Sequence, residues 1–457
     1  MWGYLAAMNA VAVIRSGWRE PMGTLAAVAD EPYALGLLSG GGGARARWSY
    51  VMAAPEAVLQ VEADDPRDPL RLMAEALGAR ATADPDGPPF QGGLAGLMAY
   101  DLGARIEPAG HRGGPDWPDL ACGLYLSVLA FDHERREVLA VGRGDDAAAA
   151  RARAEAALAL LDHARPVAPG EAPAVSFEPI TPGEAYEAAV ADVVDRIAAG
   201  EIFQANIARA WGGRLKPGAR PFEVFARLEE QSPAPFSAYL RLPGRAVVSN
   251  SPERFVSVRD DGVLRVETRP IKGTRPRGAD ADSDAALARE LLACEKDRAE
   301  NLMIVDLMRN DLSRVCPAGS VETPELFRLE TFANVHHLVS TVVGRLAPGL
   351  GPADLFEAAF PPGSITGAPK VQAMKVIADY EPARGPYCGS IFWAGLNGAC
   401  DSSVLIRTAA FLQDADGWRF EARAGAGIVA DSDPVLERLE TEAKIDALRR
   451  ALVGPGR

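Results

Sequence analysis

The chain has 457 residues, 48% of them apolar and 24% charged, and a formal net charge of −14. That size and apolar share predict a globular protein with a full core and room for two or three domains. The acidic balance argues against a nucleic-acid binder, which needs a basic face, and leaves open a small anion in a local basic pocket. Cys122, Cys294, Cys316, Cys388 and Cys400 lie far apart with no CxxC pair. Reduced thiols in a cytoplasmic protein are expected, not a disulfide framework or a zinc site. The first twenty residues put no basic stretch before a long apolar run, so neither a secretory signal nor a membrane span is expected.

In chain order, the glycine run Gly40–Gly43 and apolar runs such as Leu124–Phe131 read as turns and strands. An alanine-rich stretch from Asp145 to Ala164 predicts a surface helix. Residues 166–180 hold Pro166, Pro169, Pro173 and Pro179, a density that breaks helix and sheet alike. They read as a linker between an N-terminal region, 1–165, and a second unit, 181–453. Thr181-Pro182-Gly183-Glu184 has the pattern of a capping box, and Tyr186, Val190, Val193, Val194 and Ile197 recur at helical spacing up to Gly200. Ile202–Trp211 then reads as a strand, with Gln204 and Asn206 on one face and Phe203, Ala205 and Ile207 on the other. Four more strand-like segments follow in succession before several helices, the grouping of an α+β fold.

Seven stretches could carry chemistry. Glu267–Gly278 packs Arg269, Lys272, Arg275 and Arg277 around one acid, and lysine is the one basic side chain there that can become a nucleophile. Upstream, Glu253 in SPERF is either a structural ion-pair partner or a general acid beside that lysine. Asp297 and Glu300 share a face of one predicted helix. Glu437 and Glu440 share a face of another, whose N-cap is Asp433. Two such pairs could clamp a hard cation such as Mg²⁺, although each pair alone reads equally as solvated helix charge. Pro361–Lys370 brings Gly363, Ser364 and Gly367 to a helix start that suits an anionic ligand. Ala424–Ala430 superficially matches a dinucleotide fingerprint but leaves no room for a second strand, so it reads as a strand–turn that lets backbone approach a ligand. His336 and His337 adjoin in a strand-like segment and face opposite ways, so at most one lines a site.

The order FQANIAR, SPERF, PIKGT, ENLMIVDLMRND, HHLVS, GSITGAPK, YCGSIFW, VLIRT and GAGIVADSDP resembles the chorismate-utilising enzymes from about Glu184 to Leu448. Arg47–Pro55 and Gln91–Gly103 resemble the first region of that family. The resemblance implies an α+β fold of the anthranilate synthase component I type: large antiparallel sheets stacked as a sandwich core, with helices packed outside. Gln204 stands where water-using members carry a lysine base, which implies an ammonia-using branch. PIKGT replaces the PIAGT typical of anthranilate synthases. Lys272 therefore points to the aminodeoxychorismate synthase branch, in which chorismate and ammonia give 4-amino-4-deoxychorismate for 4-aminobenzoate and folate.

Matching positions imply roles. Lys272 would be the nucleophile, or else a fixed cation for a substrate carboxylate, with Glu253 the general acid and His337 the family histidine. Glu300 and Glu440 would hold Mg²⁺ with help from Glu437 and Asp297, the last standing where the family usually has Glu. Arg407 and Tyr387 would meet the enolpyruvyl side, and Gly425 and Gly427 would offer backbone N–H. Gln204, Thr274, Ser364, Thr366, Gly367 and Lys444 would line the pocket. Arg269, Arg275 and Arg277 are candidate activators, since neighbouring cations favour a neutral lysine. No GxCxGxQ-type elbow and no pyridoxal-phosphate lyase domain is visible. Ammonia is thus expected from a separate glutamine amidotransferase subunit or from solution, and pyruvate elimination from a separate aminodeoxychorismate lyase. The alternatives are an anthranilate synthase with an unusual lysine and a non-catalytic chorismate-binding subunit. Against the first, LLSG at Leu37–Gly40 lacks the acid of the LLES element at that branch's tryptophan-feedback site.

Overall fold

The computed structural model describes residues 8–40, 46–109, 113–331 and 335–455; of the glycine run, only Gly40 falls among them. Two antiparallel sheets dominate. The first has 12 strands and runs from Ala10–Gly17 at one edge, through Leu35–Leu38, Phe236–Leu242, Arg245–Ser251, Thr408–Asp414 and Gly417–Ile428, to Gln204–Arg214 and the short Gly367–Ala368. The second has 10 strands, from Ile271–Pro276 and Val335–Arg345 through Arg254–Asp260 and Ser390–Gly395 to Gly93–Met98 and Ala57–Val61.

Period-two patterning explains why the sheets stack. Along Gly93–Met98 every residue is buried, but the two faces bury differently. Leu94 and Met98 join a cluster with Met73 and Phe356 of the outer helices, while Ala95 and Leu97 join Tyr50, Leu240 and Trp393 between the sheets. A strand covered on both faces reads as a continuous apolar run for this reason. Each such leucine contributes about 1.5–3 kcal/mol by leaving water. A sandwich core with helices packed outside is thus the observed architecture, as the resemblance implies.

Strands from both sides of segment 166–180 share both sheets. Leu35 pairs with Leu240 in the first and Met98 with Ser390 in the second. The segment itself touches the body through a short strand at Glu178–Pro179 and a bridge from Ala174 to Leu215.

The predicted helix at 145–164 forms over Ala147–Ala159, capped by Asp146, which accepts from the Ala149 N–H at 2.8 Å. The capping box predicted at Thr181 does not form. Pro182 occupies the N-cap of helix Gly183–Ala198, and the Thr181 hydroxyl instead accepts from the Ala210 N–H of the adjacent strand at 3.2 Å. Among the described residues no helix is long and apolar enough to cross a membrane, and all five cysteines are free.

Candidate active site

The site lies where the glycine-rich end of strand Gly417–Ile428 meets Gln204–Arg214, Ile271–Pro276 and the Gly363–Ala368 loop. Glu253 sits in the turn between Arg245–Ser251 and Arg254–Asp260. Val404 clamps that turn, donating its N–H to the Glu253 carbonyl at 3.0 Å and accepting from the Ser251 hydroxyl at 2.6 Å. The ion pair weighed for SPERF belongs to Arg254, which binds Asp401 at 2.9 Å and Glu267 at 3.0 Å. Glu253 is left buried at 6% exposure. Desolvation pushes its carboxyl up, opposed by the Ser364 hydroxyl donating to it and by the charges of Lys272, Lys444 and Arg407. One buried acid beneath three cations is therefore the centre of the arrangement.

Lys272 stands in a β-bulge. The pairing of Ile271–Pro276 with Val335–Arg345 slips between Ile271 and Thr274, and Gly273 within it takes φ +81°. Bulges of this kind re-aim a side chain out of the regular ladder. The Lys272 ammonium comes within 3.3 Å of the point where a Cβ on Gly427 would stand, and the Gln204 amide nitrogen would overlap the same point. Glycine there makes room for both. Past Ala422 the second edge of this strand has no strand partner among the described residues, and Lys444 Nζ donates to the Gly425 carbonyl at 2.9 Å.

The three arginines near Lys272 in sequence are engaged elsewhere, a correction to the expectation that they activate it. Arg269 pairs with Glu330 and Glu325, Arg275 with Glu290 at 2.8 Å and Asp297 at 3.2 Å, and Arg277 with Asp284 at 2.7 Å. The strand alternation sends these side chains to carboxylates of the surrounding helices and strands. The cations that do share the lysine's surroundings are Lys444 and Arg407, both acting on Glu253. Arg407 holds φ +52°, and burial pushes its guanidinium down while Glu253 pulls it up.

The four predicted metal-binding acids approach one another from two helices, Glu295–Ser313 and Pro434–Val453. Burial raises the Glu300 carboxyl, Lys272 and Lys296 lower it, and Asp297 and Glu437 raise it further. Burial and Glu440 likewise raise Glu437, whose carboxylate accepts from the Ser432 hydroxyl at 2.7 Å. Glu440 pairs with Lys444 at 2.5 Å, and Asp297 turns to Arg275. Among the described residues, no three His, Cys, Asp or Glu side chains are gathered closely enough to hold a metal ion. Glu300 and Glu437, half-buried carboxyls that repel each other, nevertheless have the donor chemistry that suits a hard divalent cation.

The other predicted residues fall in two groups. Ser364, Gly367, Arg407, Gly425, Gly427, Gln204 and Lys444 converge with Lys272 and Glu253. Gly367 takes φ +138° and leaves no room for a side chain against the Gln204 carbonyl. Thr274 and His337 hold each other, Oγ1 to Nδ1 at 2.9 Å, while His336 faces away to Asp284 and Thr331. The Thr366 hydroxyl is turned into its own loop, donating to the Pro362 and Gly363 carbonyls. Tyr387 is buried beside Arg384.

Sequence reasoning did not single out the support beneath the site. Arg384, with its side chain 1% exposed, is held bidentately by Glu381 and donates to the carbonyls of Asn206 at 2.7 Å and Ile365 at 3.3 Å. It thus joins the strand carrying Gln204, the loop carrying Ser364 and the segment carrying Tyr387. Asp101 accepts from the backbone N–H of Arg384 and Gly385, and burial pushes its carboxyl up to about 6. A separate cavity of about 540 Å³, lined by Ser39, Arg47, Trp48, Phe236 and Trp393 among others, contains none of the predicted site residues.

Residues 37–450 match the model of the chorismate binding enzyme family. The chain is 39% identical to aminodeoxychorismate synthase component 1 of Klebsiella aerogenes, over 97% of this chain and 100% of the relative. It is 41% identical to anthranilate synthase component 1 of Thermus thermophilus, over 84% of this chain and 83% of the relative. Among solved structures, anthranilate synthase component I from Streptococcus pneumoniae superposes with a TM-score of 0.76 at 28% identity, over 90% of this chain and 93% of that one. A matched family model covering residues 37–450, with every converging residue among them, together with relatives matched along most of their length, places this chain among the chorismate binding enzymes.

Proposed function

We propose that the chain aminates chorismate to 4-amino-4-deoxychorismate, as component 1 of an aminodeoxychorismate synthase. The observation that carries this reading is the placement of Lys272: the bulge turns its side chain over Gly427, in the surroundings of Glu253 and Glu300. A fixed surface cation would have no need of that placement. In this reading the free amine of Lys272 bonds to C2 of the ring as the C4–O bond breaks. The protonated Glu253 supplies its proton to the departing oxygen, which leaves as water. Ammonia then bonds to C4 as the C2–Nζ bond breaks, and the Glu253 carboxylate takes a proton from the new ammonium group. Burial, which raises Glu253, favours the protonated acid that the first step requires.

Glu300, Glu437 and Glu440 would hold Mg²⁺, which when bound neutralises and anchors a ring carboxylate. Arg407 and Lys444 are cations suited to the other carboxylate. Ammonia would come from a separate glutamine amidotransferase subunit, a reading favoured by the component 1 naming of the relatives.

The test is to incubate purified chain, wild type and Lys272→Ala, with chorismate, Mg²⁺ and ammonium, and to identify products by mass spectrometry. The expected result is 4-amino-4-deoxychorismate, with a protein adduct formed only by wild type when ammonia is withheld. Anthranilate and pyruvate without an adduct would give the chain the anthranilate synthase reaction instead. The 41% identity to an anthranilate synthase makes that the second reading.

A further inference from the structure

Because Lys272 stands outside the regular ladder, strand pairing does not set the direction in which its side chain starts. Gly273, the next residue, takes φ +81°, a conformation that favours glycine. A side chain on Gly273 would begin 2.9 Å from Cγ and 3.0 Å from Cβ of Asp297, and 2.9 Å from Cδ1 of Leu291. Two helices therefore cover the backbone that follows Lys272: Glu295–Ser313 through Asp297 in its first turn, and Ala281–Ala293 through Leu291 in its last.

Arg275 closes the arrangement from the other side. Its Nη1 donates to the Thr274 carbonyl at 3.0 Å, its Nε and Nη2 donate to Glu290 at 3.1 and 2.8 Å, and Nη2 meets Asp297 Oδ2 at 3.2 Å. The Asp297 and Arg275 side chains are 17% and 24% exposed, more sheltered than a solvated surface pair. Asp297 Oδ2 finds no aligned hydrogen bond among the described residues, so charge attraction is what draws it to Arg275. A divalent cation on that oxygen would meet the guanidinium at close range.

A lysine side chain is long and flexible, so the direction of its root decides what its nitrogen reaches. Attack on a ring carbon needs that nitrogen about 3–3.5 Å away and aligned. We propose that Asp297 and Arg275 form a clasp on the bulge that aims Lys272, which makes both of them positioning residues and takes Asp297 out of the metal site. The inference rests on the reading of Lys272 as nucleophile and adds to it the device that points the amine. Arg275 then serves Lys272 through the backbone, not through its charge.

The variants are Asp297→Glu, Asp297→Asn, Arg275→Met, the double variant Asp297→Glu/Arg275→Met, and Lys272→Ala, all in the full chain. For each, mass spectrometry follows the rate at which the Lys272 adduct forms from chorismate with Mg²⁺ and no ammonia. Titration calorimetry reads the Mg²⁺ dissociation constant, and kcat, KM and melting temperature are recorded alongside. Glutamate must push its carboxyl group a methylene further toward Gly273 or away from Arg275. Asp297→Glu and Arg275→Met should therefore slow adduct formation and kcat about tenfold. Asp297→Asn keeps the shape and weakens only the tie to Arg275, so a smaller loss of about threefold is expected. KM for chorismate and the Mg²⁺ constant should stay within about twofold, and the double variant should be no slower than the slower single one.

A metal ligand predicts the reverse order, with glutamate tolerated, asparagine impaired and Mg²⁺ bound more weakly; that result would overturn the proposal. Lower melting temperatures with unchanged rates would leave the pair a purely structural role and overturn it too. If Lys272→Ala forms no adduct but the Asp297 and Arg275 variants keep the wild-type rate, the clasp alone falls. If Lys272→Ala turns over chorismate as fast as wild type, the nucleophile reading falls and takes the clasp with it.

Discussion

Arg384→Met isolates the worth of the buried support. The native guanidinium meets Glu381 at 2.7 and 3.0 Å with side chains 1% and 4% exposed, and also satisfies the carbonyls of Asn206 and Ile365. Methionine fills much of the volume but leaves Glu381 as a buried carboxylate. Two partners remain to it, the Ala208 N–H at 2.8 Å and the Arg423 guanidinium at 3.7 Å. Removing one member of a buried pair costs about 3–5 kcal/mol, and the surviving partners place this case at the low end, about 3 kcal/mol. That is a large share of a total stability of roughly 5–15 kcal/mol. Adding Glu381→Gln removes the uncompensated charge, so the double variant should recover about 1–2 kcal/mol against the sum of the two single losses. Urea unfolding followed by tryptophan fluorescence measures all four states of the cycle. A single-variant loss below about 1 kcal/mol, or strict additivity, would refute the claim that charge burial dominates here.

Three shorter tests bear on the site. Ser364→Ala removes the hydroxyl that favours ionised Glu253, so that acid should be raised further. The limb of the kcat/KM profile that falls with Glu253 ionisation should move to higher pH; a move downward would deny the hydrogen bond its role. Asp101 is raised to about 6 in the fold from about 3.8 unfolded, so the folded state binds its proton more tightly. Its contribution is fully present below pH about 4 and is lost as pH rises through about 6, a swing on the order of 3 kcal/mol. Asp101→Asn should remove that swing, so its stability relative to wild type should climb between pH 4 and 7 and then level off; a flat difference would contradict the assignment. Gly427→Ala drives a methyl group into the Gln204 amide. A fall of about a hundredfold in kcat/KM is expected from misplacing groups at the centre of the site, and unchanged activity would show that the groove is not used.

Much of the site could be read from spacing. The period-two strand put Gln204 and Asn206 on one face, the i, i+3 rule paired Glu437 with Glu440, and Asp433 and Pro434 announced their helix, where Asp433 does accept from the Val435 and Leu436 N–H groups at 2.9 Å. The adjacent histidines do diverge, as a strand requires. What spacing could not convey is which partner a charge will choose. Arg269, Arg275 and Arg277 sit within five residues of Lys272, yet acids on neighbouring helices and strands, 7 to 61 residues away in sequence, claim all three. The β-bulge at Gly273 carries no signature in the sequence beyond the glycine itself. Arg384 lies in an apparently ordinary loop, and only packing from elements nearly two hundred residues apart buries it. The capping box failed for a local reason: the Thr181 hydroxyl found a strand N–H.

The pairing of Met98 with Ser390 has a consequence for how the chain is made. The inner strand Gly93–Met98 acquires its partner Ser390–Gly395 only after nearly three hundred further residues have been synthesised. At about 5–20 residues per second, the apolar edge of a newly made Gly93–Met98 waits roughly 15–60 s for its neighbour. Its other edge can pair at once with Leu120–Tyr125. During biosynthesis the early strands therefore persist as a half-finished sheet, the condition in which unpaired edges invite association between chains. A nascent chain of this protein should accordingly depend on chaperones until its last hundred residues emerge, with the active site among the final parts to exist.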